Sequence, residues 1–192
     1  MILNKLSKLI RAISIPPLVV TIFIIILRVN SLINNIDALF LFIFLALIQL
    51  TAYPLSYLIP KFREGGRETQ RNLAFIIGLI GYTGGLVYAL TSNINIKLEV
   101  LYITYFVSII ILFFINKVLK IRASGHMTSI TGPLVGLLYF MGLITLIPSL
   151  IFYSLVFFSS LYLKRHTILE MIIGTCVTIG SFLLVFMLFS FI

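Results

Sequence analysis

The sequence predicts an all-α fold, a polytopic transmembrane helical bundle of about six to seven spans, with residues 1–192 forming one integral membrane domain. Three observations carry this. The chain is 61% hydrophobic and 10% charged, whereas a soluble domain is about half apolar and a quarter charged. Its mean hydropathy is +1.21. Apolar runs recur along the chain, several of them near the roughly 20 residues that a bilayer crossing requires. These runs are too long and too uniformly apolar for barrel strands, and in lipid every backbone polar group must be bonded internally, so helices follow.

The runs are residues 14–27, 36–59, 73–91, 98–115, 128–147, 148–163 and 168–192. The first is short, and Pro16–Pro17 leave its start open. Lys5, Lys8 and Arg11 precede it in the manner of a signal peptide. No small-residue cleavage site follows, so it is read as a retained span. The fifth and sixth runs abut at Pro148, where a tight helix-to-helix corner is expected. The lone Cys176 lies inside an apolar run and is expected to be buried; it excludes a disulfide framework and a cysteine metal site.

Seven spans alternate sides. With the N-terminus on side one, residues 61–72, 116–127 and 164–167 share that side. Side one then carries Lys5, Lys8, Arg11, Lys61, Arg63, Arg67, Arg71, Lys117, Lys120, Arg122, Lys164 and Arg165, twelve basic residues, against Arg28 and Lys97 on side two. Cations so placed, between membrane segments, suit anionic lipid headgroups or a small anionic substrate rather than nucleic acid. The positive-inside bias would put side one in the cytoplasm.

Three side-one segments could carry chemistry. In Lys61-Phe-Arg-Glu-Gly-Gly-Arg67-Glu-Thr-Gln-Arg71, Arg67 and Arg71 are one helical turn apart and would point the same way. Guanidinium forks suit phosphate oxygens, although a loop of this kind is also an ordinary topology signal. Lys120-Ile-Arg122-Ala-Ser124-Gly125-His126 opens the fifth span. Ser124 is a plausible cap, Gly125 permits close backbone approach, and the free amides of a helix start favour an anion. The same pattern fits a simple capped helix with snorkelling cations. In Leu163-Lys-Arg-His166-Thr-Ile-Leu-Glu170, Glu170 falls one turn after His166 and could fix its tautomer, the logic of base–carboxylate pairs. An interfacial histidine with a cap-region acid is the plain alternative. The sequence has two histidines, and both fall at helix starts on one side.

These segments resemble the type-2 phosphatidic acid phosphatase superfamily, which shares its site with vanadium haloperoxidases. Ala123-Ser124-Gly125-His126 is similar to its Pro-Ser-Gly-His motif, with Ala for Pro. Ser159-Ser160, five residues, His166, three residues, Glu170 is similar to its Ser-Arg-x5-His-x3-Asp motif, with Ser160 where Arg is expected and Glu170 for Asp. The first family motif is absent as usually written. Arg67-Glu68-Thr-Gln-Arg71 resembles a variant of divergent prokaryotic members. The resemblance spans about residues 61–174, within a phosphatase-like core of about 61–192.

The resemblance implies a multi-pass membrane hydrolase, expected in the cell membrane, acting on a lipid phosphate such as an isoprenoid or glycerolipid phosphate. His166 would attack phosphorus, Glu170 would orient it, and His126 would serve as acid and then base. Arg67, Arg71, Lys120, Arg122, Ser124 and Gly125 would hold the phosphate oxygens, with no metal and no cofactor. Relatives that process lipid carriers face outward, against the charge bias. An inactive relative retained as a lipid-phosphate binder or scaffold is the alternative, since Ser160 lacks the family charge. An anion transporter is disfavoured because the cations gather at one end and the spans are nearly uncharged along their length.

Overall fold

A computed structural model describes residues 2–191, and among these there are helices and connecting turns but no strand. In chain order the helices are α1 (Ile2–Ile13), α2 (Pro16–Val29), the long run α3 (Asn35–Leu58), α4 (Gly66–Thr91), α5 (Ile96–Val118), α6 (Gly125–Met141), α7 (Leu146–Tyr162) and α8 (Ile168–Ser190). A single-turn helix, Pro60–Glu64, joins α3 to α4. Five runs are long and apolar enough to cross a membrane, and α1 with α2, bent by 63°, would make a sixth. An all-α polytopic bundle fits, and it is compatible with a multi-pass membrane protein.

Local chemistry sets the helix starts. Asn34, Asn95, Ser124 and Thr167 each accept a hydrogen bond from a backbone N–H two or three residues on, satisfying one of the free amides of a first turn. The bundle's main core packs α4 antiparallel to α5, with Tyr82 and Tyr105 rings 5.3 Å apart and Phe75 and Phe113 rings 5.4 Å apart. α3 stacks on α4 through Phe40 and Tyr88, 4.3 Å between ring centroids. α2 joins this core through Phe23, edge-on to Phe140 of α6.

The run Gly125–Tyr162 folds back on itself. Gly142 adopts φ 76°, ψ −163°, backbone that is essentially glycine-only, and the chain reverses over Gly142–Thr145. α6 and α7 are 17 residues each, about 25 Å at 1.5 Å per residue, so each is one leg of the bundle. The corner expected at Pro148 therefore lies earlier. Pro148 sits in the first turn of α7, where its missing N–H costs nothing. α6 and α8 then run parallel: Thr128 Oγ1 donates to the Gly174 carbonyl at 2.9 Å, and Thr178 Oγ1 donates to the Thr128 carbonyl at 2.8 Å. Farther along the same pair, the Tyr139 and Phe182 rings lie 5.2 Å apart. A Cβ on Gly174 would come under 3.0 Å from the Ser124 carbonyl oxygen, so the closeness of the two helices depends on that glycine.

Two further expectations are corrected. Residues 61–72 are not an open polar loop, because α4 begins at Gly66 and carries Arg67 and Arg71 on its first turns. Cys176 is exposed, on the outer face of α8, not buried.

Candidate active site

The starts of α6 and α8 meet at one end of the bundle. The Ser124 N–H donates to the backbone carbonyl of Glu170 at 2.8 Å, joining the two helix entries directly. Each entry is separately capped: Ser124 Oγ accepts from the Met127 N–H at 3.3 Å, and Thr167 Oγ1 accepts from the Glu170 N–H at 3.2 Å. The turn before Ser124 is fixed by Asn116 Oδ1, which accepts from the Ala123 N–H at 3.0 Å.

Glu170 is buried and sits at the centre. One carboxylate oxygen accepts from His166 Nδ1 at 2.9 Å, and the other pairs with Arg122 Nε at 3.2 Å. This fixes the proton of a neutral His166 on Nδ1 and leaves a lone pair on Nε2. Burial pushes His166 below its ordinary 6.5; the hydrogen bond and charge of Glu170 pull it back up only in part, while the charges of Arg11 and Arg71 add to the lowering. The imidazole is therefore neutral at neutral pH, the form a nucleophile requires.

His126, on the first turn of α6, has a buried Nε2 with no hydrogen-bond partner. A buried polar nitrogen normally has one, so this atom is free for a ligand. Arg71 lies in electrostatic reach of both Arg122 and Glu170, and Arg67 is in reach of Arg11. The structure thus brings together His166, His126, Glu170, Arg71, Arg122, the capped Ser124 and the Gly125 amide, with Arg67 at the edge. It does not bring in Lys120, which is exposed, sits on backbone turned to φ 55°, and forms no ion pair with the described acids.

Sequence reasoning missed Arg11. Read as a topology marker outside the motifs, it instead stands among Arg67, Arg165, His126 and His166. A signal was present: Ser7, Arg11 and Ser14 fall at i, i+4 and i+7, a polar stripe on one helix face.

An apolar groove of about 340 Å³ runs between α5 and α8, lined by Ile111, Ile115, Ile172, Ile173, Cys176 and Val177 among others. It begins beside the site: Ile172 follows Glu170 by two residues, and Ile115 precedes Asn116. A larger cavity of about 500 Å³ lies at the opposite end, lined by Arg28, Asn34, Asn35, Asp37, Asn93 and Asn95 among others. Part of its polar lining is already engaged: Arg28 Nε donates to Asn35 Oδ1, and Asp37 accepts from the Tyr88 hydroxyl. The two histidines and five guanidiniums gather at the other end.

No protein-family model matches this chain, and neither a curated protein nor a solved structure is found similar to it.

Proposed function

We propose that this chain is a membrane phosphohydrolase that removes phosphate or diphosphate from a lipid through a phosphohistidine. The observation that carries the reading is the His166–Glu170 pair, in which Glu170 fixes the tautomer of a neutral imidazole close to the unpartnered His126 and to Arg11, Arg71 and Arg122. The resemblance to the type-2 phosphatidic acid phosphatases supports it on the same residues.

In this reading the His166 Nε2 lone pair attacks phosphorus and forms an N–P bond. The P–O bond to the lipid breaks, and His126, protonated as the anionic substrate binds, gives that proton to the leaving oxygen. A water then attacks the phosphohistidine, passing its proton to His126. The P–N bond breaks, inorganic phosphate leaves, and both histidines return to their starting forms. Arg67, Arg71, Arg122, the Ser124 hydroxyl and the Gly125 amide hold the equatorial oxygens, where transition-state charge lies.

The groove between α5 and α8 favours a lipid substrate. An isoprenoid or acyl chain lying there would keep its phosphate at the helix entries, and a cell-membrane location follows from such a substrate. The test is hydrolysis by the purified protein, in detergent or vesicles, of isoprenoid and glycerolipid phosphates. The expected result is turnover that survives EDTA and is inhibited by vanadate, which takes the five-coordinate shape of phosphorus in flight. Binding of lipid phosphates without turnover would favour the inactive-relative reading, and a requirement for Mg²⁺ with indifference to vanadate would overturn the mechanism.

A further inference from the structure

α1 is built the wrong way round for a helix packed on an apolar core. Its large apolar residues, Ile2, Leu3, Leu6, Leu9 and Ile13, remain exposed, while Ser7 and Ser14 are buried and share a face with Arg11. In a soluble protein the apolar stripe would turn inward. Exposed apolar residues beside Lys5 and Lys8 are the composition of a helix lying in the membrane interface. The polar face must then turn towards something polar in the protein.

That something is the candidate site. Ser159 Oγ of α7 donates to the Ser7 carbonyl oxygen at 2.8 Å, pinning α1 one turn before Arg11. Ile10 packs on the cluster formed by Met127, Ile130, Val156 and Met171, and Met127 and Met171 are the chain neighbours of His126 and Glu170. Ser159 and Ser160 are buried, 3% and 1% exposed, leaving room for α1 to lie against α7. Arg11 Nη1 is buried and bonds to nothing. Half-buried Arg11 stands near the exposed Arg67 and Arg165, exposed Arg71 and Arg122 lie beside Glu170, and the acids near this group are Glu170 and the exposed Glu68, an excess of three positive charges. A buried guanidinium nitrogen normally has a partner, and none of the described acids forms an ion pair with Arg11.

The geometry points to Arg11 as a phosphate-binding residue of this site, supplied by the N-terminal helix and aimed, with His126 Nε2, at an anion between α1, α6 and α8. This rests on the phosphohydrolase reading and adds to it a group that none of the three motif-like segments contains. A planar fork donating two hydrogen bonds suits the equatorial oxygens of a phosphoryl group.

The experiment compares wild type with Arg11→Met, Arg11→Lys and, as a control on the same helix, Lys8→Ala. Three quantities are measured: kcat/KM for a lipid phosphate, vanadate affinity by calorimetry, and thermal unfolding in detergent. Arg11→Met keeps the stem's bulk, so it should unfold near the wild-type temperature while losing on the order of 10²–10³ in kcat/KM, as for removal of one transition-state donor. Vanadate affinity should fall in parallel, an effect that packing alone would not produce. Arg11→Lys should fall between, and Lys8→Ala should stay within about twofold of wild type. A folded Arg11→Met with less than about threefold loss in both readouts overturns the proposal. If Arg11→Met does not fold, a folded Arg11→Lys that equals wild type in both readouts overturns it instead. A wild type that binds vanadate yet hydrolyses no lipid phosphate defeats the phosphohydrolase reading alone; Arg11 is then judged on binding, where Arg11→Met equal to wild type defeats this one too.

Discussion

The three groups Glu170, His166 and His126 make separable demands on a mutant series. His166→Ala should abolish turnover and, with it, acid-labile ³²P labelling of the protein. His126→Ala should cost on the order of 10²–10⁴ in rate, the usual contribution of a general acid, and should fall hardest on substrates with poor leaving groups. The pH dependence has a definite sign. Burial lowers His166 from 6.5 and Glu170 raises it, and only the neutral ring attacks. The kcat/KM profile should therefore fall on the acid side, below 6.5. Glu170→Gln removes the raising influence, so the acid limb should move to lower pH even as the plateau drops. A limb that stays put or moves alkaline would mean that His166 is not the titrating nucleophile. Much at this scale was legible: Ser124 as a cap and the one-turn spacing of His166 and Glu170 follow from local rules. Arg11 was legible only as part of a polar stripe with Ser7 and Ser14; its place beside the histidines depends on a contact between Ser7 and Ser159, and a single sequence does not reveal which distant segments touch.

At the scale of elements, one glycine sets how closely the helix entries meet and another makes the turn between α6 and α7. Gly174→Ala would press a methyl on the Ser124 carbonyl. The overpacking should cost about 1–3 kcal/mol and, by levering α8 off α6, separate His166 from His126. Both a lowered melting temperature in detergent and a disproportionate loss of activity are expected; unchanged activity would show that the α6–α8 spacing does not matter to the site. Gly142→Ala should cost a similar amount, about 1–3 kcal/mol, through the turn, with activity falling only as folded protein is lost. The sequence marked the reversal between the fifth and sixth runs but put it at Pro148. Proline is a strong signal of a helix boundary, yet it is equally comfortable inside a first turn, and Gly142's positive φ is not visible in residue order. The bend between α1 and α2 was half visible, since Pro16–Pro17 marked the break but not the helix before it.

For the whole molecule, the alternation of apolar runs placed three polar segments at one end, and the Ser124–Glu170 bond and the Arg71–Arg122 proximity agree with that placement. Single-cysteine labelling extends the test to the membrane. In a Cys176→Ser background, Glu64→Cys, ahead of α4, and Asn93→Cys, after it, should react with impermeant reagent from opposite faces. Labelling of both from one face would mean that α4 does not cross. Glu64 is preferable to Gly65, where a side chain would strike Thr69. The overall class was legible because lipid imposes so few solutions on an apolar chain. The assembly of the site was less so, because its parts come from α1, α4, α6 and α8, and their convergence is a property of packing.

The tie between Ser7 and Ser159 also sets a timetable. The partners are 152 positions apart, and a ribosome adding about 5–20 residues per second makes the second roughly 8–30 s after the first. Through that interval α1 has no α7 to lean on, and its exposed leucines and isoleucines give it somewhere to wait, at the bilayer surface. Arg11 can be brought to the histidines only after α7 and α8 have been made. A half-made chain, already in the membrane, would therefore lack the assembled cluster of Arg11 and the two histidines.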